Sequence, residues 1–141
     1  MILFRPVGSE ELRLIAKSGF RSFPPRLPHQ PIFYPVLTFE YAEQIARDWN
    51  TTQSEFAGFV TRFELDDAYA AHLNVRTAGA QDIHRELWIQ AEDLAEFNSR
   101  IVGLIRIEAA YYGKDFSGEI DPSTNLPLEI AQVLRQITGV N

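Results

Sequence analysis

Two periods of apolar residues alternate along this chain. Residues 2–5 (ILFR) read as a short first strand closed by Pro6 and Gly8. Ser9 is predicted to cap a helix, with Glu10 and Glu11 where the helix dipole favours negative charge. Leu12, Ile15 and Ala16 fall one helical turn apart, Lys17 sits in the last turn, and Gly19 supplies the stop. A second helix is predicted from an N-cap at Thr38 to about Trp49. Its buried stripe is Ala42, Ile45, Ala46 and Trp49, and Glu43 with Arg47 forms an i,i+4 pair outside. GFVTRFEL (58–65) alternates as a half-buried strand, with Phe59, Thr61, Phe63 and Leu65 on one face. A short helix capped by Asp66 or Asp67 reaches Leu73, and Val75–Ala80 reads as loop.

IHRELWI (83–89) alternates again, placing His84, Glu86 and Trp88 on one face. Ala91–Asn98 reads as a short helix with Leu94 and Phe97 inward, and Gly103 opens a strand running to Tyr112. Pro127 suits the first position of a last helix striped by Ile130, Val133, Leu134 and Ile137 and ended at Gly139. Helices and strands mix without regular βα alternation. The expected fold class is therefore α+β: one domain with a mostly antiparallel sheet and flanking short helices.

Five of the eight prolines crowd into FPPRLPHQPIFYP (23–35), with Arg26, His29, Gln30, Phe33 and Tyr34 between them. Each proline fixes its own φ and biases its predecessor towards extended backbone, so this segment is a stiff connector with a brief strand at IFY. A stiff loop carrying aromatics and hydrogen-bonding groups suits the wall of a binding site, since little entropy is lost on docking. Its other reading is a crossover whose aromatics plug the core.

Composition narrows the classes. With 141 residues, 45% of them apolar and 23% charged, the chain can bury a real core. A formal charge of −6 disfavours a nucleic-acid backbone as partner. The absence of cysteine removes thiol nucleophiles and Cys-based metal sites. MILFRPVG is too soon interrupted by Arg5 and Pro6 for a signal peptide, and no apolar run has the length of a membrane span, so a cytoplasmic location is expected. His29, His72 and His84 lack the spacing of helical metal ligands, which argues against a metal site. Neither of the standard phosphate-cradling glycine loops nor a G-x-S-x-G elbow is present.

Three candidates remain. Glu86, flanked on its strand face by His84 and Trp88, could hydrogen-bond a sugar hydroxyl and stabilise an oxocarbenium-like centre. The plainer reading leaves that face in solvent. Arg5 ends the first strand beside a turn, where its fork could take phosphate or carboxylate oxygens, or lie as a surface charge. Phe33 and Tyr34 offer rings for stacking, and strand alternation sends one of them to the core.

RPVGSEEL, FPPRLPHQPIFYPVL, EYAEQIARDWN, GFVTRFELDD, ELW and FNSRIVG resemble segments of small uncharacterised bacterial proteins loosely labelled "ADP-ribosylation/crystallin J1". The likeness covers roughly residues 2–113, and 114–141 are expected as a C-terminal loop and helix packed on or extending the same domain. Read literally, that label implies a larger, all-helical, metal-dependent hydrolase. This chain has neither the size nor the acidic metal cluster. The order of features is more distantly similar to the ADP-ribosyltransferase fold: an arginine on the first strand, a mid-chain aromatic segment and a late strand bearing a glutamate. That resemblance implies NAD as substrate. Arg5 would help hold it, Tyr34 or Phe33 would pack on the nicotinamide, and Glu86 would bind the ribose, with Arg26 and Gln30 as further binding groups. His84 stands two residues before Glu86, where many transferases carry Glu or Gln, and there is no Ser-Thr-Ser motif.

The expected function is a NAD- or nucleotide-sugar-directed ADP-ribosyltransferase or NAD glycohydrolase. Its partners would be a nucleotide small molecule and a protein acceptor, without a membrane. The alternative is a non-catalytic ligand- or protein-binding module. These two differ in whether Arg5, Tyr34 and Glu86 share one cleft.

Overall fold

In a computed structural model, which describes residues 1–77 and 84–139, antiparallel strands form the centre and short helices cover both faces. Strand β1 (Ile2–Val7) pairs with β3 (Ala57–Leu65), which pairs with β7 (Ile101–Tyr112), all antiparallel. Alternation decides the faces. Leu3, Val7, Phe59, Phe63 and Leu65 enter the main core, together with Leu12 and Ile15 of helix α1 (Ser9–Lys17). Val36 and Val60 face the opposite way, where Ala42 and Ala46 of helix α2 (Phe39–Asp48) pack on them. Gly58 permits that approach: a Cβ there would stand 2.1 Å from the Ala46 carbonyl oxygen.

Beyond β1 the sheet continues through the proline-rich segment. Strand β2 (Ile32–Phe33) pairs with β6 (Ile89–Gln90), Val36 bridges to Glu86, and β5 (Arg85–Leu87) pairs with β4 (Val75–Thr77). The pairs Ile32–Gln90, Phe33–Ile89 and Val36–Glu86 keep one register. The Leu87 and Leu37 amides extend it by donating to the Pro35 and Arg85 carbonyls at 2.8 and 3.1 Å. Residues 32–37 thus run as one strand against 85–90.

That strand meets β1 at a single residue pair. The amides of Phe4 and Val36 each donate to the other's carbonyl, at 2.9 and 2.7 Å. In an antiparallel ladder the next such pair would be Pro6 with Tyr34. Proline has no N–H to give. From that point β1 and the 32–37 strand diverge, and a cleft opens between them.

Short helices α3 (Asp67–Ala70) and α4 (Leu94–Ser99) follow their strands, the second burying Leu94 and Phe97. The C-terminal part folds back through strands β8 (Ile120–Asp121) and β9 (Leu126–Pro127) to helix α5 (Leu128–Thr138), and Leu126 and Ile130 join the main core.

Several sequence expectations change. Ser9 is the first helical residue rather than the cap: Gly8 holds the cap position, and the Ser9 hydroxyl is buried without a hydrogen-bond partner. Thr38 and Asp66 do cap, accepting from the Tyr41 and Tyr69 amides. Trp49 leaves the predicted buried stripe, because α2 ends at Asp48 and the backbone turns at Trp49, whose side chain is 60% exposed. Gly103 lies inside β7, at φ +77, where the register against β3 shifts. The expected loop at Val75–Ala80 begins with β4. Its remainder, and Ile83 of the expected strand, lie outside the described residues. No helix among the described residues is long and apolar enough to cross a membrane.

Candidate functional site

The divergence at Pro6 makes a cleft of about 630 Å³ whose lining comes from both faces of the sheet. On the α2 side stand Tyr34, Val36, Tyr41, Glu86, Trp88 and Trp49. Through the opening, on the α1 side, are Arg5, Glu11 and Arg26, and Gln30 also lines the cavity. Five residues singled out from sequence therefore meet in one place: Arg5, Arg26, Gln30, Tyr34 and Glu86.

Glu86 is only 7% exposed. Its Oε1 accepts from Trp88 Nε1 at 2.7 Å and its Oε2 from the Tyr41 hydroxyl at 3.0 Å. Strand alternation explains the first bond, since Glu86 and Trp88 share a face. The second comes from the first turn of α2, set in place by the Thr38 cap. Both donors are neutral, and no ion pair within 4 Å reaches Glu86 among the described residues. The carboxylate is thus oriented and partly desolvated, with no cation in hydrogen-bonding contact among the described residues. The strands place one nearby, its cross-strand partner Arg76, whose guanidinium carbon lies 4.3 Å from the centre of the Trp88 ring. Burial, together with the bond to Glu86, pushes the Tyr41 phenol up to about 12. Tyr41 therefore stays protonated and donating across the physiological range.

Tyr34 and Trp88 stand opposite each other across the 32–37 and 85–90 strands, their rings edge to face at 5.7 Å. Both are part-exposed, at 38% and 43%, and form an aromatic corner next to Glu86. Phe33, the alternative stacking residue, points the other way and is fully buried among Phe23 and Phe97. It reaches the site only from beneath, its ring 4.6 Å from the Arg5 guanidinium carbon. His84 lies outside the lining of the cleft. It packs on Tyr41 at 4.9 Å between ring centroids and hydrogen-bonds Gln44 at 3.1 Å.

Arg5 occupies a core-facing position between Leu3 and Val7, so its charge requires internal partners. Glu11 supplies them: Arg5 Nε and Nη2 donate to its two oxygens at 2.7 and 2.9 Å. The third nitrogen, Nη1, donates to the Tyr34 carbonyl at 3.3 Å, taking the acceptor that Pro6 leaves unclaimed. The fork expected to face a ligand is therefore filled from within. Arg26 lies beside it and donates from Nε to the Gln30 carbonyl at 3.1 Å.

Glu11, Tyr41 and Trp49 were not among the sequence candidates. Glu11 reads simply as a dipole-favouring residue of a first helical turn, and Trp49 as core. The available signal was Arg5 itself: an arginine in register with Leu3 and Val7 demands a carboxylate close by.

No protein-family model, no curated protein and no solved structure matches this chain.

Proposed function

We propose that the cleft binds NAD or a related nucleotide sugar and that Glu86 promotes cleavage of its N-glycosidic bond, in the manner of an ADP-ribosyltransferase-like domain acting in the cytoplasm. The observation that carries this reading is Glu86 itself, a nearly buried carboxylate fixed by two neutral donors in a cleft that also holds an aromatic corner and arginines. Negative charge held in that way, beside the ribose, is felt most strongly as positive charge moves from the nicotinamide ring onto the ribose in the transition state. In this mechanism the ribose sits against Glu86, and its C1′ gains positive charge as the bond to the leaving base lengthens. The base departs neutral, and water or an acceptor nucleophile bonds to C1′ and gives up its proton to solvent. Tyr34 and Trp88 offer ring faces and edges to that base. The arginine end holds the anionic part of the substrate. His84 acts through Tyr41, as a positioning residue.

The test is incubation of the protein with NAD, following nicotinamide release, with Glu86→Gln alongside. Release by the wild type, reduced about a hundredfold or more in the variant with NAD affinity nearly kept, is the expected result. Equal loss of affinity and turnover would remove Glu86 from the chemical step. A second reading, a non-catalytic binding module, draws support from the Arg5 fork being already filled by Glu11. Binding of NAD or ADP-ribose without release would favour it.

A further inference from the structure

Two guanidiniums at the α1 side of the cleft share one carboxylate. Both oxygens of Glu11 are taken by Arg5 at hydrogen-bond distance. Arg26 Nη1 comes no closer to Glu11 than 3.9 Å, beyond a hydrogen bond. The Arg26 side chain is nevertheless only 9% exposed. Its sole hydrogen bond among the described residues is from Nε to the Gln30 carbonyl, which leaves both terminal nitrogens undonated. Burial, and then the charge of Arg5, press its pKa down, but a guanidinium does not shed its proton in a protein. A desolvated cation without a hydrogen-bonded counter-ion is unfavourable, and an anion from outside is what relieves it.

The surroundings fit such an anion. Gly8, the N-cap of the nine-residue helix α1, lines the same cleft, and no side chain caps its first-turn amides. Glu11, at the position from which a carboxylate can reach back to the cap, is turned to Arg5 instead. Uncapped amides at a helix start favour phosphoryl oxygens. Trp49, 60% exposed, lines the cleft as well, and the neighbouring Asn50 keeps a buried side-chain oxygen with no hydrogen-bond partner. Three carboxylates oppose it: Glu11, 3.9 Å from Arg26 and engaged by Arg5, Glu86 across the cleft, and the exposed Glu10 in the adjoining cavity.

We infer that Arg26, beside the uncapped start of α1, seats the phosphoryl group of a phosphorylated nucleoside whose ring packs on Trp49, while Arg5 serves as the rigid support that Glu11 holds in place. The nucleoside half rests on the reading of the cleft as a nucleotide site. The phosphoryl half rests on the charge arrangement alone.

Inorganic pyrophosphate, ADP and adenosine, titrated separately by calorimetry, test it. Both tryptophans of the chain line the cleft, so intrinsic fluorescence gives an independent readout. Pyrophosphate is expected to bind the wild type at millimolar concentration or below, more weakly as salt is raised. Arg26→Gln should weaken it about tenfold or more, while Arg21→Gln, at an exposed arginine outside the cleft, should leave it unchanged. Glu11→Gln should tighten it, because the Arg5 fork is released. Arg26→Lys, which keeps the charge but not the fork, should weaken it severalfold and keeps the test open if Arg26→Gln fails to fold. No binding by the wild type, or unchanged binding in Arg26→Gln together with none of the tightening in Glu11→Gln, would overturn the phosphoryl seat. ADP should bind more tightly than pyrophosphate, with the difference abolished by Trp49→Ala; equal affinities would overturn the nucleoside half. Arg26-dependent pyrophosphate binding without nicotinamide release would keep the seat and sink the glycosidic reading. Release that is indifferent to Arg26 would do the reverse.

Discussion

Helix α1 contributes one partner to an arginine–glutamate fork at each of two cavities, Glu11 to the first and Arg13 to the second, and the two forks behave as opposites. Glu11 clasps Arg5 where the side chains are 10% and 20% exposed, with Phe33 beneath the guanidinium and Arg26 crowding the same carboxylate. Arg13 clasps Glu55 where the side chains are 35% and 44% exposed, with Glu129 a further 3.6 Å from the arginine. The second pair borders a cavity of about 530 Å³ that Asp115, Glu119 and Glu129 also line. Arginines outnumber carboxylates at the first fork, and carboxylates outnumber the arginine at the second. Residue types alone do not decide what an ion pair does. Burial sets how strongly charge is felt, and the local ratio of signs sets which ligand is welcome.

The largest expected effect comes from breaking the buried fork. Arg5→Met removes the guanidinium from between Leu3 and Val7 and leaves Glu11 without its two hydrogen bonds, at a loss of about 3 kcal/mol in urea denaturation. A loss below about 1 kcal/mol would show that Arg26 moves in as a substitute, and the contrast between the forks would dissolve.

A smaller effect sharpens the comparison by replacing charged partners with neutral ones, as at Glu86. Tyr41→Phe deletes one of the two donors to that carboxylate and should cost about 1 kcal/mol at neutral pH. The phenol also leaves a mark at high pH. Its folded pKa is raised to about 12, from an ordinary value of 10.0, so the folded state keeps a proton that the unfolded chain loses first. The stability it contributes is complete below pH 10 and lost as pH climbs towards 12. The variant should lose stability less steeply over that interval, measured by denaturation at stepped pH; an unchanged slope would place the titration elsewhere.

The exposed fork should give least. Arg13→Ala is expected to cost a few tenths of a kcal/mol, less at high salt. The hydrogen bond from Arg13 holds the Glu55 carboxyl below its usual range. That contribution is present above the ordinary carboxylate pKa and lost as pH falls through the lowered value. Arg13→Ala should therefore match the wild type in strong acid and differ slightly at neutral pH.

Much of the fold was legible because local rules and tertiary packing agreed. Thr38 capped as expected, and Gly19 and Gly139 ended their helices in the left-handed region. The strand expected at 58–65 turned Phe59, Phe63 and Leu65 to the core, although α2 buries Val60 on its other face as well. Two failures have physical causes. Ser9 has the chemistry of a cap, but Gly8 takes the cap conformation one residue earlier. Trp49 falls on the apolar period of α2, yet the helix stops short of it, and periodicity carries no information past a helix end. In the site, the shared face of Glu86 and Trp88 followed from strand alternation, which also required that one of Phe33 and Tyr34 turn to the core without saying which. Tyr41 and Glu11 did not follow, because each reaches its partner from another element, across 45 and 6 residues of chain.

Proline at position 6 carries a further consequence. The separation of β1 from the 32–37 strand begins where a backbone donor is missing, and among the residues that line the cleft only replacement of Pro6 itself would restore that donor. The opening is written into the main chain, while its chemistry is written into the residues that line it. Such a scaffold can exchange one substrate for another over evolutionary time without first having to reinvent its cavity.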